Sequence, residues 1–543
     1  MARYAPANSL VYLESNHPAE VFDSLLQTDA VKGLDRLSRN PRGADGRGPL
    51  QKLIAFTGIG PVESVIAARA QIAIVVTELG TNEEGETLRV KPEAAAIIDT
   101  HTSETRIRAP VREALRKLAE RTYGRPVFRT SSIDGFEFMQ WSTSDGNRQI
   151  VATIFGTVVI VGNSERSVRD CLAVTRGTQP SLSEDAELTR MRGQLSAADS
   201  MAFGYVPATN SARLLSVAIP LFIGRPPGDS DFQRLITAGA AKVFGSLGWT
   251  SHRYSSGIED RYLVSLKPGV VSRLKSSFSH LSSDAEISQR IPATVQSLTV
   301  YNFETPLSAW QSMRMSVSSQ LDTLSAVVFS SLLKASLVSY GIDDPEKFLE
   351  AVAGTITTMR IDQNAERSIL VARIRDRVAL TGQLGAGIFK AAKKERPSQN
   401  VEIWDDEPGE TSAAFLNEFI VMGAPADVRR YVQAQISLSS NAEALRRITF
   451  YSSLSAPVNV ATYTDDRDRV RSFLSTLVVA QNRPLPDSAS LEQILTTLPY
   501  SATTSTLGGD GLQRTTRSPL GQFSTLLPLL LPESQPPSNT PSQ

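Results

Sequence analysis

Apolar residues in this chain come as short strand-like runs followed by stripes at helical spacing, and the alternation recurs. The first run lies in "NSLVYLES", and "NHPAEVFDSLL" follows it. Asn16 and Pro18 mark a helix start there, and Val21, Phe22, Leu25 and Leu26 form one apolar helix face. "QSLTVYNFE" and then "TPLSAWQSM" repeat the plan. Thr305 stands at the cap, Pro306 in the first turn, and Leu307, Trp310 and Met313 share a face. Two shorter segments match it, "DSMAFGYVPATNSARLLSV" from Asp199 and "PVNVATYTDDRDRVRSFLSTL" from Pro457, with Thr209 and Asp465 as cap candidates. A hairpin-like pair of runs follows each start: Ala70–Leu79 with Glu93–His101, Val243–His252 with Ile258–Leu266, Thr355–Asp362 with Arg367–Arg375, and Tyr500–Leu507 with Leu512–Arg517. The last of these turns, "GGDG" at Gly508 to Gly511, has the chemistry of a tight hairpin.

The first and third segments also carry a similar insertion. In the first it is a charged helix, Pro110 to Tyr123, then strands through "RQIVATIFGTVVIVGNSERSVRDCLAV". In the third it is a basic helix placed at Gly385 to Arg396, then "SAAFLNEFIVMGAPADVRRYVQA". With one gap, Gly162 falls on Gly423, Val168 on Val428 and Arg169 on Arg429, and "DAELTRMRGQLSAADSMAFGYV" lies over "NAEALRRITFYSSLSAPVNVATY". The pattern predicts an α+β chain made by tandem duplication of a strand–helix–β-hairpin unit, with mostly antiparallel sheets and helices on one face. The first half is residues 1–288, with submodules 1–195 and 196–288; the second is 289–525, with submodules 289–454 and 455–525; a disordered Pro/Ser-rich tail is expected at 526–543. Surface linkers are expected at Arg39–Pro49, Gly224–Asp231 and Gln481–Asp487, where Gly, Pro and polar residues concentrate.

A length of 543 residues calls for several hydrophobic cores. An apolar share of 41% and a charged share of 21% are those of a folding chain. Lys plus Arg and Asp plus Glu balance at 56 each, which argues against a dedicated polyanion binder and makes nucleic acid an unlikely partner. The single cysteine, Cys171, excludes an intrachain disulfide and a multi-cysteine metal site. Its place on the stripe Val168, Cys171, Leu172 and Val174 predicts a buried small residue. The chain as given shows no export signal, and the apolar stretch from Phe523 is broken by Pro528 and Pro532 and is too short to span a bilayer.

The opening "PANSLVYLE", its echo "PATVQSLTVYNFE", and "FGTVVIVGNSERSVRDCLAVTRGTQPSLSEDAELTRM" together resemble bacterial domain-of-unknown-function family 3352, over most of the chain. The resemblance implies an α+β architecture and an envelope-associated protein, exported or held by an N-terminal segment that this chain as given lacks. It implies no established activity.

Candidate chemistry is sparse. The four histidines, His17, His101, His252 and His280, show no metal-binding spacing. "DTHTSE" would place Asp99 and His101 on one strand face with Glu104 just beyond, a set suited to a metal or an acid–base pair; a solvated strand end is the plainer reading. Ser272–Lys275 and Ser331–Lys334 satisfy the SxxK spacing of serine–lysine enzymes without a KTG partner, and no GxSxG occurs. "GQLGAGIF" from Gly382 lacks the phosphate-loop pattern and reads as a turn. Arg112, Arg116, Lys117 and Arg121 on one expected helix, and Lys390, Lys393 and Lys394 on the other, form a candidate surface for an anionic lipid, an envelope polymer or another envelope protein; solvated faces with pairs such as Glu113–Lys117 are the alternative. No residue is assigned to catalysis, metal or cofactor. The sequence therefore points to a non-enzymatic binding or structural protein, with a hydrolase or metal-dependent enzyme of dispersed active-site residues as the competing class.

Overall fold

The strand-forming runs pair into one antiparallel ladder. The computed structural model describes residues 1–37, 66, 69–84, 87–222, 230–255, 257–275, 277–278, 290–398, 400–436, 442–449, 458–480 and 487–530. Among the described residues, ten strands come from the first part of the chain: β1 (Val11–Ser15), β2 (Gln71–Glu84), β3 (Thr87–Asp99), β4 (Val127–Ile133), β5 (Phe136–Ser142), β6 (Gln149–Phe155), β7 (Val158–Gly162), β8 (Ala202–Val206), β9 (Phe244–Tyr254) and β10 (Gly257–Leu266). Ten come from the second: β11 (Ser297–Asn302), β12 (Val352–Arg360), β13 (Ile369–Ile374), β14 (Lys393–Ser398), β15 (Val401–Asp405), β16 (Ser412–Leu416), β17 (Phe419–Gly423), β18 (Val460–Thr464), β19 (Ser501–Leu507) and β20 (Gly511–Ser518).

Across the sheet the first set runs β4-β5-β6-β7-β3-β2-β1-β8-β9-β10. From the opposite edge the second runs β14-β15-β16-β17-β13-β12-β11-β18-β19-β20. The two sets meet where β10 pairs with β20, from Ile258 opposite Ser518 to Ser265 opposite Gly511. All four hairpin-like pairs of the sequence form, as β2–β3, β9–β10, β12–β13 and β19–β20. Gly162 and Gly423 each end the strand that leads into a helix, Glu165–Thr175 and Pro425–Ile436 respectively. A Cβ on Gly162 would lie 2.8 Å from Val168 Cγ2, so the close seating of helix on strand requires glycine there.

Helices cover both faces of the sheet, which corrects the expectation of one face. Val151 of β6 packs in the core with Val168, Cys171 and Leu172 of the helix Glu165–Thr175. Its neighbour Ala152 packs in another with Ile107, Leu115 and Ala119 of the helix Glu104–Tyr123. The second part repeats this: Val421 joins Val428 and Tyr431, while Ile420 and Met422 join Leu380 and Leu384. Successive strand residues point to opposite faces, so near-continuous buried runs such as Val151–Ile154 demand cover on both sides.

Three local expectations also change. The segment Gly385–Arg396 is not a helix: the helix Arg377–Ala386 ends at Gly387, buried Phe389 anchors the turn, and Lys393–Ser398 is edge strand β14. Of the tail expected at 526–543, residues 526–530 belong instead to the helix Phe523–Leu530, whose Phe523 is buried against Trp249 at a ring separation of 6.4 Å, and 531–543 lie outside the described residues. Thr209 sits inside the first turn of Ala208–Phe222, where the N–H groups of Asn210 and Ser211 bond the Pro207 carbonyl. Asp465, by contrast, accepts from the N–H of Arg467 at 3.3 Å. The expected linkers Arg39–Pro49, Gly224–Asp231 and Gln481–Asp487 lie outside the described residues except at their ends, where Ser230 starts a helix and Asp487 caps another. Among the described residues no helix is long and apolar enough to cross a membrane.

Candidate functional site

A cleft of about 670 Å³ opens beside the β10–β20 joint, within the size range of small-molecule sites. Its floor is polar. The helix Ala186–Gln194 contributes Glu187 and Arg190, and Asp185 fixes its start by accepting from the Glu187 N–H at 2.9 Å. Tyr205 on β8 holds Asp185 in turn, donating to Oδ2 at 2.7 Å. Ser246 at the start of β9 and Ser265 at the end of β10 form the wall, and Asp510 arrives from the β19–β20 turn. The Asp510 carbonyl accepts from the Leu266 N–H at 3.0 Å, which ties that turn to β10.

On the floor one guanidinium is shared by two carboxylates. Arg190 grips both oxygens of Glu187 at 2.8 and 2.5 Å, reaches Ser265 Oγ at 3.1 Å and pairs with Asp510 at 3.2 Å. Ser246 Oγ donates to Glu187 at 2.5 Å, and Gln194 donates to Asp510 at 2.5 Å. The Arg190 hydrogen bond holds the Glu187 carboxyl below its ordinary range against the opposing effect of burial, and Glu187 raises Arg190 in return.

The rim is different. Lys267 precedes the helix Pro268–Lys275, and that helix turns Pro268, Val271, Ser272 and Lys275, one face at helical spacing, toward the cleft. Among the described residues neither Lys267 nor Lys275 meets a carboxylate at ion-pair distance.

The Asp99 group does not assemble as a trio. His101 has left-handed backbone (φ 52°) beyond the end of β3, with its Nδ1 3.6 Å from the buried Asp99 carboxylate. That carboxylate accepts from Thr157 at 2.8 Å and from the His101 N–H at 3.1 Å, as a strand-end turn does. Glu104 faces away, bound to Arg108 and to the Gly156 N–H. Among the described residues no three His, Cys, Asp or Glu side chains gather as a metal group would require. Ser272 and Lys275 share the cleft face, whereas Ser331 and Lys334 lie on the separate helix Thr323–Val338.

The basic set is divided between a helix and a strand. Arg116 is paired with Glu113 at 2.7 Å and Glu120 at 2.5 Å, Lys117 with Glu113 at 3.5 Å, and Arg112 lies 4.9 Å over the Phe128 ring. Arg121 closes the same helix. On β14, Lys393 pairs with Glu395 at 3.2 Å and Lys394 sits 3.7 Å over Trp404, while Lys390 is in the preceding turn. These charges are largely met within the chain, as on a solvated protein face.

Sequence reasoning reached Ser272, Lys275 and the GGDG turn but not Glu187, Arg190, Lys267 or their convergence. No local signal joins positions from 187 to 510. No protein-family model, curated protein or solved structure matches this chain.

Proposed function

We propose that this protein is a non-enzymatic binding or structural protein of the bacterial envelope, built as a tandem duplication. The duplication reading rests on strand order: each set of ten, counted from its own outer edge, runs fourth, fifth, sixth, seventh, third, second, first, eighth, ninth, tenth. A copied unit would reproduce such an order, and last strands paired antiparallel would relate the copies by an approximate two-fold. The 1–288 and 289–525 halves follow from this reading, and the envelope placement rests on the family resemblance.

The observation that carries a binding role is the cleft beside that joint, where a floor of one guanidinium and two carboxylates is rimmed by two ammonium groups that meet no carboxylate among the described residues. Floor residues locked to one another present a fixed shape, which favours recognition. Native mass spectrometry of protein purified gently from its host tests the class: a retained small molecule or protein partner is the expected result. Turnover of ester or phosphoester substrates that is lost in Ser272→Ala would overturn it in favour of a hydrolase.

A further inference from the structure

We propose that the cleft binds a compact phosphate-bearing anion, held between Lys267 and Lys275; this rests on the binding-protein reading and names its ligand chemistry. Three cations line the cleft against two carboxylates, and Arg190 is engaged with both acids. The cleft therefore carries one net positive charge, and the two lysines on its rim supply the cationic side of it. Ammonium groups on flexible stems suit phosphate as point charges.

Of the serines beside them, Ser265 is engaged and Ser272 is exposed. Ser265 Oγ accepts from Arg190 at 3.1 Å and lies 3.3 Å from Ser246 Oγ, which gives its own proton to Glu187. The Ser265 proton is turned to Ser246 or Glu187, so Ser265 belongs to the floor network. Ser272 is exposed on the rim helix between them, with a 3.5 Å contact to the Gly269 carbonyl. Glu187 and Asp510 are each bound by Arg190 and by a second, neutral donor, which lessens their repulsion of such a ligand, and the two lysines outweigh the one negative charge left on the floor.

The test is titration of the full chain with pyrophosphate, followed by isothermal calorimetry and by phosphorus NMR on the same samples. Wild type should bind saturably, and Lys267→Ala and Lys275→Ala should each raise Kd by about tenfold, the loss of one charge-assisted contact. Lys347→Ala, which removes a lysine paired instead with Asp344 at 3.0 Å, should leave Kd unchanged. Lys275 is exposed and Lys267 half-buried, so an unchanged thermal midpoint would verify that both variants fold. Absence of saturable binding, or equal Kd in wild type and both cleft variants, overturns the assignment while leaving the binding-protein reading in place. Conversion of pyrophosphate to orthophosphate in the NMR spectrum would overturn that broader reading instead. Citrate in parallel separates phosphate from carboxylate chemistry: tighter binding of citrate than of pyrophosphate would overturn the phosphate assignment.

Discussion

Cys171 and Asp260 show how burial sets chemistry residue by residue. Cys171 is fully buried on the sheet-facing side of its helix, and burial pushes its thiol up to about 12. At pH 8 only about one molecule in ten thousand carries the reactive thiolate. The native protein should therefore fail to react with a thiol-modifying disulfide reagent, and react once unfolded; rapid labelling of the folded chain would contradict the packing. Asp260 is raised to about 6 by burial, although the Trp249 indole and the Gln522 N–H each donate to it at 3.0 Å. Between the ordinary value of 3.8 and about 6, the folded form holds a proton that the unfolded form has lost, so stability falls as pH rises through that window. In Asp260→Asn this contribution disappears. The difference in thermal midpoint should move in the variant's favour from pH 4 to pH 7, corresponding to about 2 kcal/mol; a pH-independent difference would refute the account. The buried stripe around Cys171 was legible in the sequence from helical spacing. The raised Asp260 was not, because its burial depends on strands and a terminal helix far apart in the chain.

At the scale of elements, the β10–β20 ladder is the critical contact. Gly511 begins β20 with φ 147°, a backbone region that favours glycine, and a Cβ there would press on the Val264 carbonyl and lie 2.9 Å from the Leu266 nitrogen. Gly511→Ala should lower the thermal midpoint through about 1–3 kcal/mol of strain and loosen the turn that carries Asp510. Amide hydrogen exchange should show lost protection at Val264–Leu266 and Gly511–Gln513; unchanged exchange there would refute it. Further along the ladder, Arg517 meets the mostly buried Glu259 at 2.7 Å, and Arg261 meets the same carboxylate at 2.8 Å. The hairpins on either side were readable from paired apolar runs and turn residues. The joining of β10 to β20 was not, because cross-strand pairing between distant segments leaves no periodic trace of its partner.

The whole molecule is held together by more than that ladder. One core brings Leu25 and Val31 from the start of the chain to Phe473, Leu474, Leu491 and Phe523 from its end. Another joins Val243, Val270 and Leu274 to Met313, Val317 and Leu507. Burial of this kind stabilises by about 25 cal/mol per Å² of apolar surface, so the covalent connection is not what keeps the two sets together. Cutting the chain at a protease site placed between 278 and 290 should leave both pieces eluting as one particle on size exclusion. Separate elution in native buffer would show that these cores do not suffice.

What the sequence determined by itself was local: the order of strands and helices, the four hairpins, several helix starts and the buried cysteine. Each depends on spacing within a few turns or strand lengths, where backbone geometry alone decides which side chains share a face. Tertiary structure alone decided the joining of β10 to β20, the cover on both sheet faces and the gathering of Glu187, Arg190, Lys267, Lys275 and Asp510 around one cleft. Those outcomes follow from register and packing between segments hundreds of residues apart, which local periodicity does not encode.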